Sequence, residues 1–90
     1  MNKQRRKDID QAINSLMGID LENIKDAIQM IIDDETETLE MLPENLQESE
    51  RAGTMQEAID SLEQAGYEID SIESSITDTI DYLEQAKGEV

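Results

Sequence analysis

Met55, Leu62, Ile69, Ile76 and Leu83 stand seven residues apart through the second half of this chain. No proline interrupts the run. An apolar heptad of that length fits a long α-helix with a seam for a neighbouring helix, and a strand cannot carry it. Its 3.5-residue period predicts a left-handed supercoil. Three positions after each seam residue come Ala58, Ala65, Ile72, Thr79 and Ala86, and the small ones permit close approach. Ile59 and Ile80, one position further on, widen the stripe. The segment Ile59-Asp60-Ser61-Leu62-Glu63-Gln64-Ala65 returns as Ile80-Asp81-Tyr82-Leu83-Glu84-Gln85-Ala86, three heptads later, so both copies present the same faces. Thr54-Met55-Gln56-Glu57 has the form of a capping box, with Gly53 suited to the turn before it. Lys87 is favourable at the negative end of the helix dipole, and Gly88 suits a terminator. The predicted helix runs over residues 55–87.

The first half also carries a helical stripe: Ile9, Ile13, Met17, Leu21, Ile24, Ile28, Ile31, Leu39 and Leu42, with Glu35 in the gap after Ile31. The spacing predicts one continuous or mildly bent helix over residues 3–41. Gly18 is its weak point, since a mid-helix glycine costs about 1 kcal/mol relative to alanine. Leu16 and Met17 are adjacent apolar residues, which puts a phase change there. A break at Gly18, with Asp20 capping a second segment, is the alternative. Pro43 disfavours helical geometry in Leu42 and stops the helix. Residues 42–54 are then a connection with room for one short helical turn, and Leu46 is expected to tuck against the helix ends.

The fold expected is all-α: a single domain over residues 1–90, formed as a long antiparallel, coiled-coil-like helical hairpin. A lone helix pair covers one stripe per helix, and a core that thin is marginal. The apolar stripe of the second helix is wider than one partner can cover. The hairpin is therefore expected to pair with a second copy as a four-helix bundle, or to have its second face covered by a partner protein.

Composition narrows the chemistry. The chain has no Cys and no His, so thiol chemistry and the commonest general base and metal ligand are missing. Phe and Trp are absent too. Di-iron Glu-x-x-His motifs and calcium-loop patterns do not occur, and no cofactor or metal is expected. Asp33, Asp34, Glu35 and Glu37 could hold a divalent cation loosely, but a solvated face is the simpler account of them. No enzymatic activity is expected. The sequence holds no apolar run long enough to span a membrane, and Asp8 and Asp10 interrupt what would follow the basic start of a signal peptide. The expected location is the cytoplasm, or a host's cytoplasm for a viral protein.

Charge is the remaining signal. Seven basic residues face 23 acidic ones, a net −16. Four of the seven lie in Lys3, Arg5, Arg6 and Lys7; from Asp8 onward only Lys25, Arg51 and Lys87 remain, and all the acids lie there. Such a chain repels nucleic acid and anionic membrane and attracts basic protein surfaces. Acidity could equally serve solubility alone. On the second helix Glu57, Asp60, Glu63, Asp70, Asp78, Asp81 and Glu84 lie off the seam, several three apart, with carboxylates roughly 5–6 Å from one another. On the first helix Asp26, Asp33, Asp34, Glu37 and Glu40 make a second run. Tyr67, placed outermost by the heptad, could anchor a contact. The candidate partner-binding set is Asp33, Asp34, Glu37, Glu40, Asp60, Glu63, Tyr67, Asp81 and Glu84.

The basic start NKQRRK, the turn MLPENLQESER and the following MQEAIDSLEQA resemble a loose group of small acidic helical proteins of tailed phages and prophages. The resemblance covers most of the chain, with the turn its most specific part; Met41-Leu42-Pro43 carries one residue more than the group's pattern. It implies a phage setting and no assigned activity. Small acidic phage proteins often inhibit host nucleases. The expectation is thus an acidic inhibitor that occupies the basic nucleic-acid-binding surface of a host defence enzyme. The alternative is a self-assembling structural or accessory protein.

Overall fold

The computed structural model describes residues 1–88, all of whose regular structure is helical. Helix α1 spans Lys3–Met17, α2 spans Leu21–Glu40, and α3 spans Glu50–Lys87, with a short 3₁₀ turn at Glu44–Leu46. The chain divides into two compact units. One joins Met1–Leu21 to the chain from Asp70 onward; the other is Glu22–Ile69.

In the first unit, Asn2 starts α1: its side-chain oxygen accepts the Arg5 backbone N–H at 2.8 Å. Ile13 is buried, and Ile9 and Leu16 are half-buried. On α3 the half-buried aliphatic residues are Ile76, Ile80 and Leu83, followed by a buried Lys87. Lys87 Nζ donates to Asp10 Oδ1, 77 positions away, and lies 3.8 Å from Glu84 Oε2. Those carboxylates allow an ammonium that is only 8% exposed to remain there. Gly88 follows at φ +80, which satisfies the expectation of a glycine terminator.

The continuous first helix is corrected to two. Helix α1 ends at Met17, and Gly18, Ile19 and Asp20 lie outside regular helix. The seam explains the break. Its inward residues run 9, 13, 16 and then 21, 25, 28, 32, 35, 39, 42. Alternating steps of three and four keep one face, but the step of five from Leu16 to Leu21 turns the next side chain by about 140°. The interruption resets the phase. Met17, Ile24 and Ile31, expected inside, are exposed; Leu16, Lys25 and Ile32 take the inward places.

In the second unit α2 and the beginning of α3 form a helical hairpin. Ile32, Ala52, Met55 and Ile59 are buried, and Ile28, Leu39, Leu62 and Ile69 are half-buried. Helix α3 starts four residues before the Thr54 capping box. Ser49 is the cap: its hydroxyl accepts the Ala52 backbone N–H at 3.3 Å. Thr54 instead donates its hydroxyl to the Glu50 carbonyl at 3.1 Å, one turn into the helix. Leu46 does not tuck in; it is 43% exposed.

The seam of α3 also differs from expectation in its second row. The Met55, Leu62, Ile69, Ile76, Leu83 row faces inward, but its companion is Ala52, Ile59, Gly66, Glu73, Ile80 and Lys87. Ala58, Ala65, Ile72, Thr79 and Ala86 are exposed. A companion four positions on buries Ile59 and Ile80, two of the large aliphatic residues, where one three positions on would bury mostly alanine. Gly66, Glu73 and Lys87 are carried inward by this choice.

Candidate interaction surface

The inward rows fix what each remaining row faces. In the α2–α3 hairpin, α2 turns Lys25, Ile32 and Leu39 with Ile28 and Glu35 towards the seam. One flank of that stripe is then Glu22, Gln29 and Thr36, backed by Asp26, Asp33 and Glu40. The other is Ile24, Ile31 and Thr38, backed by Ala27 and Asp34. On α3 the flanks are Gln56 and Glu63, backed by Gly53, Asp60 and Tyr67, and on the other hand Arg51, Ala58 and Ala65, backed by Thr54, Ser61 and Glu68.

Two right-handed helices running antiparallel bring like flanks to the same side. The hairpin therefore has a carboxylate side and an aliphatic side. Asp26, Asp33, Glu40, Asp60, Glu63 and Tyr67 occupy the first; Ile24, Ile31, Ala58 and Ala65 occupy the second. A cavity of about 480 Å³ at the turn supports this register. Its lining joins Leu39 and Glu40 of α2 to Ala52, Gly53 and Gln56 of α3, as residues sharing the carboxylate side must. Gln47, Glu48 and Ser49 of the connection complete it.

Five of the predicted contact residues, Asp33, Glu40, Asp60, Glu63 and Tyr67, thus come together on one side of one unit, and all are exposed. Asp34 borders the aliphatic side, and Glu37 points away from the seam. With the corrected seam Glu57 and Gln64 hold the outermost row and Tyr67 lies off-centre, towards the carboxylate side, 62% exposed. Asp81 and Glu84 belong to the other unit. Asp81 is exposed, whereas Glu84 is half-buried beside Lys87 and does not present an open carboxylate.

Glutamines pre-set two of the carboxylates. Gln29 Nε2 donates to Asp33 Oδ1 at 2.8 Å, and Gln56 Nε2 donates to Asp60 Oδ1 at 2.9 Å, both one helical turn apart. Each aspartate keeps acceptor capacity for an incoming donor while its rotamer is restrained, which lowers the entropy cost of a contact. The pairing was readable as Gln-x-x-x-Asp on both helices but gains meaning only once both fall on one side.

No known family, curated protein or solved structure matches this chain. The described residues contain no cluster of three or more carboxylates placed to hold a metal ion. No described helix is long and apolar enough to cross a membrane. What the surface offers is a set of exposed, partly restrained acceptors with one exposed tyrosine. That is chemistry for hydrogen bonds and ion pairs with Lys and Arg. The cavity residues Gln47 and Glu48 went unnoticed in the sequence, where nothing distinguishes them from other polar connection residues.

Proposed function

We propose that this chain is a non-catalytic interaction protein whose carboxylate side occupies a basic, nucleic-acid-binding surface, in a phage setting that of a host defence nuclease. The observation that carries the reading is the gathering of Asp26, Asp33, Glu40, Asp60 and Glu63 on one side of the hairpin, the side that also carries Tyr67. Asp26, Asp33 and Glu40 repeat every seven residues, about 10.5 Å along the helix. Phosphates along one strand of a duplex advance about 3.4 Å per nucleotide, so each step of the row spans roughly three nucleotides. Lysines and arginines set to grip a phosphate backbone would meet carboxylates at compatible intervals. In this reading two copies pair into a four-helix bundle, the acts of binding are electrostatic, and the location is cytoplasmic.

The second reading, a self-assembling accessory protein whose acidity serves only solubility, draws on the exposed Ile24 and Ile31. Charge reversal separates the two. The triple variant Asp33→Lys, Asp60→Lys, Glu63→Lys changes exposed positions only and should leave helicity intact. Capture of basic nucleic-acid-binding proteins from host lysate should be lost in the variant and should fall steeply with salt in the parent. Undiminished capture by the variant excludes mimicry.

A further inference from the structure

We infer that the aliphatic side of the α2–α3 hairpin seats a second copy of this chain, with the Ile24/Ile31 row of one copy lying on the Ala58/Ala65 row of the other. The inference rests on the reading that two copies pair, and gives that pairing a face and a register. Ile24 and Ile31 are 45% and 52% exposed. Ile24, Ile31, Ala58, Ser61 and Ala65 form a strip without an ionisable residue; Asp34 and Glu68 border it, and Arg51 continues the alanine row towards Thr38.

The occupant follows from shape and charge together. Shape favours self-pairing. One helix of the strip carries large side chains and the other carries alanines. A two-fold axis parallel to the helices sets α2 of one copy antiparallel on α3 of the other, and so places large on small at both contacts. Charge favours it too. A chain of net −16 can approach its own copy only where neither presents carboxylates, and in this hairpin that is the aliphatic side. A basic foreign protein finds counter-charge only at the strip's edges, in Asp34 and Glu68. The arrangement leaves the carboxylate side of each copy facing outward.

The test uses the full chain. Sedimentation equilibrium at about 50 μM in 0.5 M salt, where repulsion is screened, should give twice the chain mass. Ile31→Glu should halve that mass while circular dichroism still reports helix. Gln29→Glu, on the opposite side, should leave the dimer intact. Because the chain has no cysteine, single-cysteine variants report the register even if Ile31→Glu unfolds. Mixed Ile31→Cys and Ala58→Cys chains should cross-link on mild oxidation; mixed Gln29→Cys and Ala58→Cys chains should not. A parent of single mass overturns pairing itself. A dimer that survives Ile31→Glu and fails to form the Ile31–Ala58 cross-link overturns this face while pairing stands. Capture by the carboxylate side is measured separately and is independent of either result.

Discussion

Gly66 sits on the inward rows of α3, half-buried, in the middle of a 38-residue helix. A methyl group placed on it would meet nothing within 4 Å. Its backbone needs no positive φ, since among the described residues only Gly88 has one. Gly66→Ala should therefore stabilise the protein. The helix term contributes about 1 kcal/mol. That gain corresponds to a rise of roughly 4–8 °C in Tm for a chain of this size. Thermal melts followed at 222 nm, with urea titrations at matched protein concentration, measure it. Gly53→Ala is the internal control. Gly53 is exposed, lies in the first turns of α3 and also has open space at its Cβ, so a gain of at most about 1 kcal/mol should appear there too. A fall in stability for Gly66→Ala, or no gain, would refute the reasoning: the space beside Gly66 would then be filled in solution.

Three other outcomes follow from local contacts. Ser49→Ala should cost about 1 kcal/mol in urea titrations through loss of the α3 cap, whereas Thr54→Ala should change stability by less than about 0.5 kcal/mol; the reverse order would place the helix start at the capping box. Asp10→Ala should cost about 1–3 kcal/mol, since it strips the nearest partner from a buried ammonium, while Lys87→Met, which leaves Asp10 half in water, should be close to neutral by the same measurement. Gly88→Ala should cost about 1 kcal/mol, read as a lower urea midpoint, because a Cβ is disfavoured at φ +80.

The heptad of Met55, Leu62, Ile69, Ile76 and Leu83 was enough to predict a long helix with those side chains inward, and Pro43 enough to end the helix before it. Which second row joins the heptad was not legible. Alanines three positions on and isoleucines four positions on both make a stripe, and only the partner helix decides between them. The step of five from Leu16 to Leu21 was visible, but choosing Met17 as the inward residue concealed it, because Ile13–Met17–Leu21–Ile24 is itself a faultless helical spacing. Thr54 and Glu57 make the better capping motif on paper. Ser49 won because starting α3 earlier brings a buried Ala52 into the helix ahead of Met55, and tertiary packing outweighs a cap of about 1 kcal/mol. The candidate contact residues were legible as carboxylates but not as a group. Asp33 and Asp34 are neighbours in sequence and fall towards opposite sides of the hairpin, a distinction that requires the seam.

The two-sidedness of the hairpin bears on why the chain tolerates so many like charges. Repulsion among 23 acids on 90 residues opposes any compact state. Segregation reduces that cost. Where carboxylates collect on one side and on the outer rows, each remains hydrated and screened, and the strip carrying Ile24, Ile31, Ala58 and Ala65 can lose its water without burying a charge. Acids spread evenly around α2 and α3 would leave no strip able to desolvate, and the thin core would have no second layer to draw on. Moving a single charge onto that strip should therefore do more harm than adding one to the outer rows. Ala65→Glu and Gln64→Glu both add one negative charge at adjacent positions of α3. The first should weaken self-association at least tenfold and the second by less than threefold, measured by sedimentation equilibrium at 0.5 M salt. Equal effects would mean that net charge, and not its placement, governs assembly.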